Sequence, residues 1–285
     1  MMKQIPYGLT DFARIQKDNY YYVDKTMFIE RIEMQPAYLF LIRPRRFGKS
    51  LTLAMLEAYY DVVYANDFDE LFGHLYIGQH PTPKHNCYLI MRFNFSEVSS
   101  NVNEVERSFK LHCCSKLRDF VFKYEDLLGK EIWDVLDEEI QQDPGAFLSA
   151  INSYASRKGN LPIYLLIDEY DVPLAKAFER GYYDKMVLLI RNMLEHALKT
   201  NDSLKFSVLT GCMRISKESI FTGLNNLKVL SIAEVQFDEA FGFTDREVRE
   251  MLEYYGLSHH YEEVKEWYDG YQFGNVEVYC PWDII

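Results

Sequence analysis

A short apolar run, Ala37-Tyr38-Leu39-Phe40-Leu41-Ile42, leads directly into Arg43-Pro44-Arg45-Arg46-Phe47-Gly48-Lys49-Ser50. A helical pattern follows, with Leu51, Met55, Ala58 and Val62 on one face. Buried strand, cation-rich turn and amphipathic helix in that order constrain the chain more than any other feature. Such a turn points backbone N–H groups at one spot, the helix N-terminus favours negative charge there, and a lysine completes a phosphate-binding loop. Gly48 lets the backbone approach closely, Lys49 offers a cation to the β and γ oxygens, and Ser50 in the first helical turn offers a hydroxyl to Mg²⁺. Arg45, Arg46, Phe47, Gly48, Lys49, Ser50 and Leu51 are therefore the expected contacts of a nucleotide. The usual pattern has a glycine five positions before Gly48, where this chain has Arg43; Pro44 is expected to stiffen the loop in its stead. Arg45 and Arg46 contact phosphate, bind an acidic neighbour or stand solvated, and the sequence leaves these alternatives open.

A phosphate loop needs a partner strand ending in an acid for the metal, and turnover needs a second carboxylate for the attacking water. The most strand-like run, Ile163-Tyr164-Leu165-Leu166-Ile167, ends at Asp168-Glu169. Asp168 is expected to hold Mg²⁺ and Glu169 to act as catalytic base, as in a Walker B motif of the glutamate-bearing kind. Asp171 is either a third candidate acid or the cap of the next turn with Pro173.

Further apolar runs at 88–95, 205–209 and 229–232 predict strands, and helical periodicity predicts helices over 105–124, from Asp143-Pro144 to about Gly159, and over 184–200. Buried strands alternating with helices predict an α/β fold, a P-loop NTPase with a parallel sheet covered by helices on both faces. Beyond Phe237 the pattern is read as helices only. Thr244-Asp245-Arg246-Glu247 fits a capping box, Gly256 suits the helix end, and a second helix spans 261–268. The division expected is a core over 1–236 and a helical lid over 237–285, cut short at its end.

Composition narrows the partners. With 31 Lys plus Arg against 43 Asp plus Glu, the formal net charge is −12, and the average field repels a phosphate backbone, so nucleic acid is not indicated. The 5 cysteines lack a CxxC pair or a regular spacing, which excludes a disulfide framework and a structural zinc site and points to a reducing, cytoplasmic setting. No secretory signal or apolar run long enough to span a membrane is present.

Seven stretches together resemble the AAA-ATPase-like domain family of bacterial and archaeal P-loop ATPases. They are Tyr-Val-Asp-Lys-Thr (22–26), Arg-Pro-Arg-Arg-Phe-Gly-Lys-Ser (43–50), Ile-Asp-Glu-Tyr-Asp (167–171), Phe-Thr-Gly-Leu-Asn-Asn (221–226), Phe-Gly-Phe-Thr (241–244), Trp-Tyr-Asp-Gly-Tyr-Gln-Phe-Gly (267–274) and Tyr-Cys-Pro-Trp (279–282). The resemblance spans nearly the whole chain, and Arg43 is usual in that family. It implies an ATP-binding core, and the function expected is binding and hydrolysis of Mg-ATP that couples nucleotide state to a lid or an attached domain. A nucleotide-operated switch with little turnover is the alternative. In AAA-type ATPases a polar residue closing the third strand contacts the γ-phosphate or the water, which makes Thr210 a candidate, with Arg214 beyond it as a reader of the γ-phosphate or the partner of an acid. Arg180 and Arg191 are candidates for an arginine finger in a homo-oligomer, with surface solvation as their other reading. Tyr22 or Val23 packs either on the adenine or on the sheet edge. Relatives commonly continue into a PD-(D/E)XK nuclease-like domain. Here the sequence stops at Ile285, where that domain begins, so a shortened chain or a short member is expected, and Glu263-Val264-Lys265 is read as a solvated helical face.

Overall fold

The computed structural model describes residues 2–98, 104–159, 161–198, 204–213 and 227–285. Five strands, β1 (Tyr38–Ile42), β2 (Leu89–Asn94), β3 (Ile163–Asp168), β4 (Leu204–Gly211) and β5 (Leu227–Leu230), form one parallel sheet in the order β2-β3-β4-β1-β5. The order inserts β4 between β1, which leads into the 43–50 turn, and β3, which ends in Asp168.

Alternate side chains of each strand enter two separate cores, as a period of two requires. Phe40, Ile42, Met91, Phe93, Leu165, Ile167 and Leu209 face one core. It is completed by α4 (Val105–Lys123), α5 (Pro144–Gly159), α6 (Val172–Glu179) and α7 (Tyr183–Leu198). Leu39, Leu41, Ile90, Leu166 and Val208 face the other, with α1 (Phe12–Lys17), α2 (Phe28–Glu33) and α3 (Lys49–Tyr60). Burial on both faces explains why β1 and β3 read as nearly unbroken apolar runs. The α/β architecture expected from the sequence is the one observed. At α5, Asp143 Oδ1 accepts from the Ala146 N–H at 2.9 Å, so Asp143-Pro144 opens the helix as expected.

The reading of helices only after Phe237 needs correction. Beside α8 (Asp245–Tyr254) and α9 (Tyr261–Tyr268), three short antiparallel strands, β6 (Phe243–Thr244), β7 (Tyr271–Phe273) and β8 (Val276–Tyr279), form a second sheet in the order β6-β8-β7. Strands of two to four residues, joined at β7–β8 by a turn at Gly274-Asn275, are too short to show a period of two. The capping box is present: Thr244 accepts from the Glu247 N–H, and Glu247 accepts from the Thr244 N–H at 2.8 Å. Phe237, Ala240, Phe241, Phe273, Val278 and Cys280 belong to the same core as β1 and α3, so this segment packs directly on the sheet. No helix among the described residues is long and apolar enough to cross a membrane.

Candidate functional site at the carboxyl ends of the strands

Open parallel sheets bind ligands outside the carboxyl ends of their strands. Here that edge carries the turn after β1, Asp168-Glu169 after β3, and Thr210-Gly211-Cys212 at the end of β4. Gly48 leads into α3 with φ +80°, in the left-handed region, and a Cβ built there meets nothing within 4 Å. A glycine is thus needed for its conformation, and the space beside it is open.

A cavity of about 430 Å³ lies over this turn, within the size range of small-molecule sites. Arg45, Arg46, Phe47, Gly48, Lys49, Ser50, Leu51 and Glu169 all line it. Its far wall comes from both ends of the chain: Leu9, Tyr22 and Val23 from the N-terminal segment, Phe243 and Trp282 from the C-terminal one. Phe47 adds little polar chemistry, since its ring is buried against Tyr271 and Phe273 at 4.9 and 5.0 Å between centroids. The Arg46 guanidinium lies 4.8 Å from the centre of the Trp282 ring, a cation–π contact, and Arg46 has φ +69°. Arg45 is exposed and also lines, with Glu169, Asp171 and Cys212, a second cleft of about 610 Å³ on the α6 side. Arg45, Arg46, Lys49 and Lys25 gather positive charge at this cavity in a chain of net charge −12.

Lys49 is buried, and its ammonium donates to the carbonyls of Arg43 (3.1 Å) and Pro44 (2.8 Å) and lies 3.2 Å from Cys212 Sγ. Cys212 has no signal in the sequence; it reaches Lys49 because β4 is the neighbour of β1. Asp168 is almost wholly buried. Its Oδ1 accepts from the Thr210 hydroxyl at 2.6 Å, and its Oδ2 has no hydrogen-bond partner. Thr210 is itself fully buried, so its hydroxyl orients Asp168. Glu169 follows with φ +51°, an unfavourable conformation for a non-glycine residue that costs about 1 kcal/mol or more and concentrates at functional sites.

Asp171 departs from its expected part. It precedes α6, but its side chain makes no capping bond there; Oδ2 accepts from the N–H groups of Cys212 and Met213, each at 3.0 Å. The loop after β4 offered two free N–H groups, and these hold the carboxylate. Arg43 is also unlike a loop residue. Its side chain is fully buried, Nη1 donates to the carbonyls of Ile42 (2.8 Å) and Leu230 (3.1 Å), and Nη2 donates to that of Phe237 (3.0 Å). The rings of Phe241 and Phe273 lie 5.0 and 5.4 Å from it. Burial pulls the guanidinium down to about 10, opposed by Glu234 and Asp238, so it stays charged at neutral pH. Arg180 and Arg191 line neither cavity; Arg214 and the 221–226 stretch lie outside the described residues. Glu263 stands exposed on α9 beside His260, as a solvated face.

The site has the donors a bound Mg²⁺ asks for. A magnesium ion is held by one or two protein oxygens, with phosphates and water supplying the rest. Ser50 in the first turn of α3 and the unpaired, buried Asp168 Oδ2 are such oxygens.

One curated relative, an uncharacterized protein in the vnfD 5′ region of Azotobacter chroococcum mcd 1, is 29% identical over 295 aligned positions, covering 99% of this chain and 51% of the relative. The chain thus spans about half the length of that relative. A family model described as "Predicted AAA-ATPase" matches residues 6–221, well over half of the chain. On that match, which takes in the turn after β1 and the acidic end of β3, the chain belongs to the predicted AAA-ATPase family.

Proposed function

We propose that the chain binds Mg-ATP in the cavity over the β1–α3 turn and hydrolyses it. The observation that carries this reading is the meeting, at one edge of the sheet, of Gly48 in a left-handed conformation, the Lys49 ammonium, and an acidic pair whose first member keeps a buried oxygen unpaired. In this reading the phosphates lie along residues 45–50, and Lys49 exchanges its bonds to the Arg43 and Pro44 carbonyls for the β and γ oxygens. Arg45 and Arg46 add positive charge at the cavity wall. Ser50 and Asp168 hold Mg²⁺, which neutralises charge on the phosphates when bound. Thr210 holds the Asp168 carboxylate in place. Glu169, on the cavity wall, orients the attacking water and accepts its proton. The adenine lies in this reading against the apolar wall that includes Leu9, Tyr22, Val23 and Trp282.

Residues 237–285 act in this reading as the lid over the nucleotide. Their contribution of Phe243 and Trp282 to the cavity supports that part. A switch that binds nucleotide with little turnover is the second reading. It is favoured by the Lys49 ammonium already being engaged by two carbonyls and Cys212.

Equilibrium binding of a fluorescent ATP analogue with Mg²⁺ tests the site. Lys49→Ala removes a charge-assisted contact of about 2 kcal/mol and is expected to raise Kd roughly thirtyfold. Binding at wild-type strength by the variant would remove the phosphate role from this loop.

A further inference from the structure

Arg43 stands where phosphate loops of this type have a glycine, yet its side chain is turned away from the cavity and fully buried. A buried charge is costly unless hydrogen-bonded, and this one is held by three carbonyls, two of them from distant parts of the chain. Ile42 is its neighbour, Leu230 ends β5, and Phe237 opens the C-terminal segment. Phe241 and Phe273 of that segment add their ring faces. The main chain of the same residue meets the phosphate-loop lysine, because the Arg43 carbonyl accepts from the Lys49 ammonium at 3.1 Å. The Arg43 N–H donates to the Gly211 carbonyl at 3.1 Å, next to Cys212, which also touches Lys49. One residue therefore joins the lysine on its main-chain side to β5 and the β7–β8 hairpin on its side-chain side.

We propose that Arg43 couples the phosphate loop to the C-terminal segment. When a nucleotide phosphate draws the Lys49 ammonium off the Arg43 carbonyl, the shift in the Arg43 peptide passes through the guanidinium to Leu230, Phe237 and Phe273. Arg43 is on this account a positioning residue that touches no nucleotide. The inference rests on the reading of the cavity as a nucleotide site. It differs from a static strut in one respect: a strut lowers stability when removed but leaves the response to nucleotide unchanged.

The test is hydrogen exchange on the whole chain, without nucleotide and at saturating Mg-ATP and Mg-ADP, read in 227–237 and 271–279. Neither segment lines the nucleotide cavity, so direct shielding by the ligand does not reach them. Nucleotide is expected to change exchange there by roughly fivefold or more in the wild type, the lower end of ordinary coupling between sites. Arg43→Lys keeps the charge and loses the planar fork. It is expected to bind Mg-ATP within about tenfold of wild type while losing that response. Phe273→Leu leaves Arg43 in place and is expected to weaken the response in 227–237, which keeps the test open if Arg43→Lys unfolds. Bound nucleotide with no change in either segment overturns the proposal, as does a wild-type response in both variants. Failure of the wild type to bind nucleotide, read separately by the fluorescent analogue, overturns the reading of the cavity and this inference with it.

Discussion

Asp168 is the residue whose surroundings say most about the chemistry of the site. A carboxylate almost without exposure, given one hydrogen bond by Thr210 and none on its other oxygen, is costly to bury unless a cation completes it. Asp168→Ala is therefore expected to abolish the gain that Mg²⁺ brings to ATP binding while metal-free nucleotide still binds. Titrations with Mg²⁺ and with excess chelator measure this: the wild-type ratio of Kd values is expected at about ten or more, and the variant ratio near one. An undiminished ratio in the variant would assign the metal to other residues. At this scale the placement of residues that depends on neighbours in sequence was legible. Gly48, Lys49 and Ser50 follow from strand, turn and helix in succession, and Asp168-Glu169 from the end of an apolar run. The burial of Arg43 was not, because its partners Leu230 and Phe237 lie 187 and 194 residues further on. Asp171 was assigned to its local turn because sequence puts Pro173 beside it, whereas the sheet puts Cys212 and Met213 there.

At the scale of elements, legibility followed length and burial. Strands β1 and β3 are apolar on both faces and stand out from their surroundings, and α4, α5 and α7, with 16 to 19 residues, show their periodicity. Helices α1 and α2, with 6 residues each, span under two turns and leave no pattern to count. The β7–β8 hairpin was lost for the same reason. The end of α8 that faces the cavity side was read from its capping residues alone, and it bears a second duty: Glu247 of the capping box also accepts from Lys25 Nζ at 2.6 and 2.7 Å. Thr244→Ala removes the hydroxyl acceptor for the Glu247 N–H without touching Lys25. It is expected to cost about 1 kcal/mol and to lower Tm by roughly 2 °C, with Mg-ATP affinity unchanged. Thermal melts of the two proteins check this. A Tm equal to that of the wild type would mean the cap contributes nothing to the segment.

Over the whole molecule, the N-terminal and C-terminal segments meet above the turn after β1. The Lys3 N–H donates to the Tyr254 hydroxyl at 2.8 Å, the Tyr255 hydroxyl donates to the Lys3 carbonyl at 2.9 Å, and the largely buried Lys25–Glu247 pair joins the segment before β1 to α8. Burial lowers the Lys25 pKa, and the adjacent Glu247 carboxylate opposes that shift. This closure, which no local pattern announces, makes the cavity a joint product of core and C-terminal segment. Whether nucleotide state changes by turnover rests on Glu169. Glutamine keeps the size of the side chain and its hydrogen bonding but is a far poorer base. The decisive measurement is phosphate release at saturating Mg-ATP by the wild type and Glu169→Gln, with ATP binding measured on the same preparations. The account predicts equal binding and a rate lower by roughly 10²-fold in the variant. A wild-type rate that survives the substitution, or tight ATP binding with no release by the wild type, would contradict it.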